Sequence, residues 1–341
     1  MGYIKKSLRK RIITTVLFGI SFLALFGMYA CSTASDINIS KLNKWMGCND
    51  KIKVLTTTPI IEDLVSRIGG ENIEIISLIE GDLDPHSYEI VRGDAEKIAT
   101  AQVIFANGLS LEHSASISHQ LKMHKNVVFL GDEVMKSHPK EIIYIQGQVD
   151  PHIWMDLTIW KKCINPIAEN LTKLDPLHAE DFQKNAQIAL YAFDNQHNII
   201  KRKLAQIPIE KRYLVTSHDA FNYFVRCYFV DDFQRERATW NNHVVAIQGL
   251  APDEQISPLE ISSVVKYVLT HKIPVIFSER NLSQDSLHKV VDACRRKGMN
   301  TILANDVLFG DTMGGNTYFE MLDHNVEVIC RNLGTDNEKT N

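Results

Sequence analysis

The chain has 341 residues, of which 45% are hydrophobic and 23% are charged. This composition is ordinary for a folded protein, and the length is sufficient for two domains. The formal net charge is −4, and removing residues 1–30, which hold five basic residues and no acid, takes it to −9. An acidic remainder argues against nucleic acid as a partner, because nucleic-acid binding requires excess positive charge.

The N-terminus predicts export from the cytoplasm. Basic residues precede an uncharged stretch at positions 12–30, so residues 1–30 are interpreted as a signal peptide, with a retained membrane anchor as the alternative. Cys31 is a candidate for lipidation, and cleavage after Ala34 is the competing interpretation. Lipidation and cleavage both predict a periplasmic or otherwise extracytoplasmic protein, and lipidation of Cys31 would also tether it to the membrane.

Strands alternate with helices in the region after a polar lead-in at residues 31–50. Hydrophobic patterning and turn residues predict strands at residues 51–57, 73–78, 103–106 and 127–130. They predict helices between these strands, at residues 59–69, 94–100 and 111–123. Residues 131–149 are interpreted as a loop. Because parallel strands need helical crossovers, this pattern predicts an α/β lobe at residues 51–175.

A long helix is predicted at residues 176–207, where apolar residues keep helical spacing without an interior proline or glycine. At 1.5 Å per residue it would be a rod of roughly 45 Å that joins two lobes. A second lobe is predicted at residues 208–335. Its predicted strands are residues 213–216, 244–247, 275–277 and 301–304. Its predicted helices are residues 220–227, 257–271, 284–297 and 317–332. The predicted fold class is therefore α/β, with two parallel-sheet lobes and one rigid linking helix.

Three histidines and one aspartate form a candidate metal site. The tripeptide Asp84-Pro85-His86 returns as Asp150-Pro151-His152, and proline makes both segments rigid turns. His218 follows a predicted strand of the second lobe, and Asp311 lies in a glycine-containing loop. The four side chains are expected to meet in the cleft between the lobes, where ligand sites are common.

Imidazole and carboxylate donors suit Zn²⁺, Fe²⁺ or Mn²⁺ better than Ca²⁺ or Mg²⁺, which prefer oxygen ligands. The order of preference among Zn²⁺, Fe²⁺ and Mn²⁺ stays open. Metal-bound imidazoles usually donate their second N–H to a neighbouring acceptor. The acidic residues considered for that role are Asp84, Asp150, Asp219 and Glu279.

The sequence around these residues resembles the metal-binding extracytoplasmic solute-binding proteins of bacterial ABC importers for zinc, manganese and iron. The resemblance covers about residues 50–333 and is carried by residues 84–89, 106–109, 150–156, 215–221, 317–318 and 324–325. It implies metal ligands at His86, His152, His218 and Asp311. It also implies delivery of the metal to an inner-membrane permease with a cytoplasmic ATPase, without enzymatic activity.

Two departures from the family pattern favour a mixed iron, manganese and zinc binder over a dedicated zinc protein. The manganese-selective branch has glutamate where this chain has His218, and zinc-selective members commonly have a histidine-rich loop. In this chain the ten other histidines are scattered, and they are interpreted as surface or packing residues.

Two other functions are considered. A secreted metallohydrolase could use the same three histidines and aspartate, although the sequence contains no His-Glu-x-x-His motif. A binding protein for an organic solute is the third interpretation, supported only by Trp154, Trp160 and Trp240. The six cysteines contain no Cys-x-x-Cys motif, and their pairing stays open.

Overall fold

The computed structural model describes residues 40–252 and 256–334. The chain divides into two compact units, residues 1–49 and residues 50–341. In the first unit, residues 40–47 form helix α1 within the predicted polar lead-in at residues 31–50, and the bounds of that lead-in stay a prediction. The predicted signal peptide, Cys31 and Ala34 lie outside the described residues. The second unit contains all the elements that follow.

A four-stranded parallel sheet organises the first half of this unit. Its strands follow predicted positions closely and are β1 (Ile52–Thr56), β2 (Ile73–Ser77), β3 (Val103–Ala106) and β4 (Val127–Phe129). They lie in the order β2-β1-β3-β4, with each neighbouring pair parallel. All four residues of β3 are buried, as expected for an inner strand that helices cover on both faces.

The helices of the first half are α2 (Pro59–Gly69), α3 (Asp94–Thr100), α4 (Ala115–Met123), α5 (Leu130–Ser137), α6 (Leu157–Trp160) and α7 (Ile164–Leu174). Helix α2 illustrates why they form. Thr58 accepts a hydrogen bond from the N–H of Ile61 at the helix start, and Pro59 occupies the first turn, where no N–H is needed.

The prediction of a loop at residues 131–149 is wrong. Helix α5 covers most of its first half and buries Leu130 and Val134, which lie four residues apart on one face. The end of the segment forms an antiparallel hairpin of β5 (Tyr144–Ile145) and β6 (Gln148–Val149). Gln146 and Gly147 connect the strands with φ values of 49° and 87°, the left-handed conformation that two-residue hairpin turns require.

The second half has two further parallel pairs. They are formed by β7 (Leu214–Thr216) with β8 (Val244–Ala246), and by β9 (Val275–Ile276) with β10 (Ile302–Leu303). The N–H of Phe277 donates to the carbonyl of Val215 at 2.8 Å and links the pairs. The strand order β8-β7-β9-β10 therefore repeats the order of the first sheet.

Helices cover these strands as well. They are α9 (Asn222–Tyr228), α10 (Asp232–Glu236), α11 (Pro258–His271), α12 (Asp285–Arg296) and α13 (Tyr318–Leu333). Helix α10 was not predicted. Helix α13 begins at a capping box, in which Thr317 and Glu320 each accept a backbone hydrogen bond from the other.

Helix α8 (Ala179–Leu204) connects the two halves. It has 26 residues, and a 3-10 turn at Pro176–His178 precedes it. Its buried face packs on α2 and α7 of the first half and on α13 of the second. The ring of Phe193, for example, stacks on that of Tyr318 with the centroids 5.7 Å apart. The α/β class with parallel sheets and a long connecting helix is thus confirmed, whereas the exact lobe boundaries at residues 51–175, 176–207 and 208–335 stay a prediction.

Within the described residues, no helix has both the length and the apolar character needed to cross a membrane. The five cysteines of this part of the chain are free thiols, namely Cys48, Cys163, Cys227, Cys294 and Cys330.

Candidate metal centre

Two similar turns position the first two histidines. In each Asp-Pro-His segment the aspartate accepts the backbone N–H of the histidine two residues later, at 2.9 Å for both Asp84–His86 and Asp150–His152. This side-chain turn, together with the proline between, fixes the histidine backbone. His86 lies in the loop after β2, and His152 follows β6 by three residues and precedes a short 3-10 turn.

The other two residues come from the second half. His218 follows β7 by two residues, and Asp311 lies in the loop between β10 and α13. The hydroxyl of Thr216 donates to the carbonyl of His218 at 2.8 Å and holds that loop close to the strand end. Side chains from four distant segments therefore reach one place.

His86, His152, His218 and Asp311 are all buried, and each offers a donor atom within 4.8 Å of those of the other three. The Nε2 atoms of His86 and His152 lie 3.3 Å apart. The Asp311 carboxylate lies 3.1 Å from His218 Nε2 and 3.4 Å from His152 Nε2. Three imidazole nitrogens and a carboxylate thus converge on one point.

Several of these atoms lack hydrogen-bond partners. His218 Nε2 and both carboxylate oxygens of Asp311 are buried without an aligned hydrogen bond. Buried polar atoms are nearly always satisfied, and a group that stays unsatisfied needs a specific reason. A cation bound among the four side chains would satisfy them together, so the residues present fit a metal ion as solute.

Carboxylates contact the far side of two imidazoles. Asp150 Oδ1 lies 2.7 Å from His152 Nδ1, and Glu279 Oε2 lies 2.6 Å from His218 Nδ1. Glu279 also accepts the backbone N–H of His218 at 2.9 Å. These contacts favour a proton on Nδ1, which leaves the Nε2 lone pair available to a metal. Asp150 is itself held by Asn222, whose amide donates to Asp150 Oδ2 at 3.0 Å.

Burial and charge act in opposite directions on the pKa values of the imidazoles. Burial dominates at His86 and lowers its pKa to about 3. Burial also lowers the pKa of His152, but Asp150 and Asp311 more than compensate and raise it to about 9. At His218, Glu279 and Asp311 likewise overcome burial and raise the pKa well above 6.5. Burial raises the pKa of Asp311, yet His218 and His152 hold it well below its ordinary value.

The loop that contains Asp311 is fixed from both sides. Trp154 Nε1 donates to the carbonyl of Gly310 at 2.9 Å, and the Tyr318 hydroxyl donates to the carbonyl of Trp154. Asn325 accepts the N–H of Phe309 at 2.9 Å and donates to its carbonyl at 2.8 Å. Trp154 therefore serves as a structural link to the site rather than as the wall of an organic-solute pocket.

Sequence reasoning missed one buried acid. Glu112 accepts hydrogen bonds from the Thr57 hydroxyl at 2.6 Å and from the N–H groups of Asn107 and Gly108 at 2.8 and 3.0 Å. The Asn107 amide in turn donates to the carbonyl of Pro151, next to His152, at 3.0 Å. Glu112 thus supports the second Asp-Pro-His turn. Glu112 lies between Leu111 and His113 in a mixed segment, where no sequence pattern marks it as a buried acid.

A cavity of about 400 Å³ leads towards His86. His113 lines this cavity, and its ring centroid lies 5.9 Å from that of His86, so this histidine is not simply a distant surface residue. Of the acidic candidates, Asp150 and Glu279 contact imidazoles of the site. Asp84 instead holds its own turn, where its carboxylate also accepts the Ser87 hydroxyl at 2.6 Å.

Comparison with known proteins agrees with this geometry. Residues 54–331 match the family model "Zinc-uptake complex component A periplasmic". The metal-binding protein YtgA of Chlamydia muridarum is 38% identical over 310 residues, which cover 91% of this chain and 94% of that protein.

Two solved structures are also similar. The crystal structure of Fe(III)-bound YtgA from Chlamydia trachomatis has 39% identity and a TM-score of 0.79, and covers 82% of this chain and 97% of its own. The periplasmic zinc-binding protein TroA from Treponema pallidum has 28% identity and a TM-score of 0.74, with 83% and 99% covered. The chain therefore belongs to the zinc-uptake component A family, whose members are extracytoplasmic metal-binding components of ABC importers and not enzymes.

Proposed function

We propose that His86, His152, His218 and Asp311 are the ligands with which this importer component captures Fe²⁺, Mn²⁺ or Zn²⁺. The observation that carries the proposal is the convergence of three imidazoles and a carboxylate, all buried and all within 4.8 Å of one another. Nitrogen and oxygen donors in this combination suit first-row transition metals. The similar zinc-binding TroA and Fe(III)-bound YtgA support zinc and iron within this range.

The surroundings of the site favour holding an ion over using it in catalysis. Asp150 and Glu279 are already engaged with imidazoles, at 2.7 and 2.6 Å. A metallohydrolase needs an open metal position and a general base next to it. Neither carboxylate is free for that role, so the site is suited to binding and release of the ion itself.

The partner in this proposal is a permease in the inner membrane with its cytoplasmic ATPase. Because α8 packs on helices of both halves, we infer that release requires only a modest adjustment of the two lobes. Tethering through a lipid on Cys31 remains part of the proposal, with cleavage after Ala34 as the alternative. Nucleic acid has no part in it.

Metal titration of the purified protein tests the ligand assignment. The protein competes with a chromogenic chelator for Zn²⁺, Mn²⁺ or Fe²⁺, the last under anaerobic conditions. Replacing one ligand by alanine at His86, His152 or His218, or by asparagine at Asp311, is expected to weaken binding at least about tenfold. His288→Ala is the matched control, because His288 is exposed on α12. Four variants that titrate like the control would refute the assignment.

Transport has its own readout. Cells that lack the gene should accumulate less radioactive metal, and the wild-type gene should restore uptake whereas the His218→Ala gene should not. Elemental analysis of protein isolated from its own cell envelope would then identify the preferred metal. Uptake restored equally by both genes would contradict delivery through this site.

A further inference from the structure

A second cavity, of about 710 Å³, lies away from the four proposed ligands. Its walls are the segment before β5, helix α6 with the turn that follows, the C-terminal part of α8, and α9 and α10. None of His86, His152, His218 and Asp311 lines it. Elements of both halves and the connecting helix therefore enclose a space that metal binding does not use.

The lining of this cavity is strongly basic in an otherwise acidic chain. Six cationic side chains line it, namely Lys140, Lys161, Lys162, Lys201, Arg226 and Arg235. Among the residues that the structure describes, two carboxylates line it with them, Glu141 and Asp156. Like charges at close range repel each other, so such a cluster persists where something compensates for it.

Three of the six cations have no carboxylate partner within the part of the chain that the structure describes. Lys140 and Lys201 are exposed and make no ion pair there. Arg226 donates to the carbonyl oxygen of Glu141 at 2.6 Å and lies over the Tyr223 ring, 5.0 Å from its centroid. Its guanidinium is thus held in place without being neutralised.

Acids pair with the other three cations, and one of them, Glu141, lines the cavity and lies 3.3 Å from Lys162. Lys161 contacts Asp194 at 2.5 Å, and this carboxylate is 55% exposed. Arg235 contacts Asp232 at 2.9 Å, and that carboxylate is 88% exposed. Surface ion pairs of this kind are weak, so an anion of higher charge can compete with them.

A half-buried imidazole of the cavity is exposed to both signs of charge. His197 lines the cavity, and burial lowers its pKa. Asp156 acts in the opposite direction and raises the pKa, as does Asp194, whereas the positive charges of Lys201 and Lys161 lower it.

We propose that this cavity binds a small multivalent oxyanion, one that presents two or more phosphate or carboxylate groups. Lysine and arginine are the side chains that recognise such groups, and Arg226 offers a pre-oriented planar donor. A volume of about 710 Å³ suits a small molecule better than a protein surface, which would dock on a flatter face. The proposal is independent of metal capture.

Calorimetric titration of the metal-loaded protein with inorganic phosphate, pyrophosphate and citrate tests it, and the three probes distinguish phosphate from carboxylate ligands. Removing two charges by the double change Lys140→Gln with Lys201→Gln is expected to weaken binding of the preferred anion about tenfold or more. Lys122→Gln with Lys173→Gln is the matched control, because these lysines are exposed and lie outside the cavity. The control should bind the anion like wild type.

Arg226→Lys provides a second variant, which keeps the charge but removes the planar donor. It should weaken anion binding while metal titration stays unchanged in every variant. Absence of binding by all three probes at millimolar concentration would overturn the proposal, as would equal binding by the pocket and control variants. Binding of a tetra-aspartate peptide but of none of the three anions would also overturn it, in favour of a protein partner.

Discussion

Replacing Gly310 by alanine is expected to weaken metal binding, although Gly310 is not a proposed ligand. A Cβ atom at this position would lie 2.3 Å from Glu279 Oε2 and 3.0 Å from His218 Cε1. The first distance is far below van der Waals contact, so the Glu279 carboxylate would have to move. The glycine is thus required for space at the site rather than for an unusual backbone angle.

The size of the expected loss in metal affinity follows from the contacts that Glu279 makes. Its carboxylate lies 2.6 Å from His218 Nδ1 and accepts the backbone N–H of the same residue at 2.9 Å. Loss of such a partner behind a metal-bound imidazole typically costs 10- to 100-fold in affinity, or about 1.4 to 2.8 kcal/mol. We expect the Gly310→Ala protein to fall within this range.

Competition with a chromogenic chelator near neutral pH measures the change, and thermal unfolding of the metal-free protein reports any loss of fold. Gly249→Ala is the matched control, because no atom lies within 4 Å of a Cβ built there. The double variant Gly310→Ala with Glu279→Gln should bind no more weakly than Glu279→Gln alone, since both changes remove the same contact. If Gly310→Ala bound metal within about twofold of the Gly249→Ala control, the reasoning would be refuted.

Three further predictions concern protons and buried acids. Because carboxylates raise the pKa of His152 to about 9 and that of His218 well above 6.5, metal must displace protons from both, and affinity should rise with pH towards pH 9. Proton release into weak buffer on metal addition measures this, and constant affinity between about pH 6 and pH 8 would contradict it. Glu112→Ala should lower the free energy of unfolding by about 2–4 kcal/mol, because it leaves three buried donors without an acceptor. The control Glu96→Ala, on the surface, should change the free energy of unfolding by less than about 0.5 kcal/mol. Asp150→Asn should weaken metal binding at least about tenfold in the chelator assay, and unchanged affinity would show that the His152 ring needs no anionic partner.

The regular parts of the fold were predictable because they follow simple periodicities. Strand β3 and helix α3 lie where apolar runs and spacing placed them, at Val103–Ala106 and Asp94–Thr100. Helix α5 was missed for a physical reason. It begins at Leu130, immediately after β4 ends at Phe129, so no turn residue separates the two elements and signals a new start.

The Asp-Pro-His repeat shows how much of the site is determined by local sequence. Both aspartates accept the backbone N–H of their histidine at 2.9 Å, inside the turns that the tripeptide predicts. Only Asp150 also contacts the imidazole ring, at 2.7 Å, and this ring stands against Asp311 on its other side. Identical tripeptides therefore give different environments, because the second contact depends on where the ring is held by distant parts of the chain.

The different environments of the three histidines change the pKa values of their imidazoles. Unperturbed histidines titrate near pH 6.5, so sequence reasoning predicts loss of metal binding only below about pH 6. The structure separates the three: burial lowers the pKa of His86 to about 3, while acidic partners raise that of His152 to about 9 and that of His218 well above 6.5. In the proposed site, the His86 imidazole is therefore unprotonated near neutral pH, whereas His152 and His218 must first release a proton before they can bind a metal. Capture is thus expected to begin at His86, the histidine that the 400 Å³ cavity reaches.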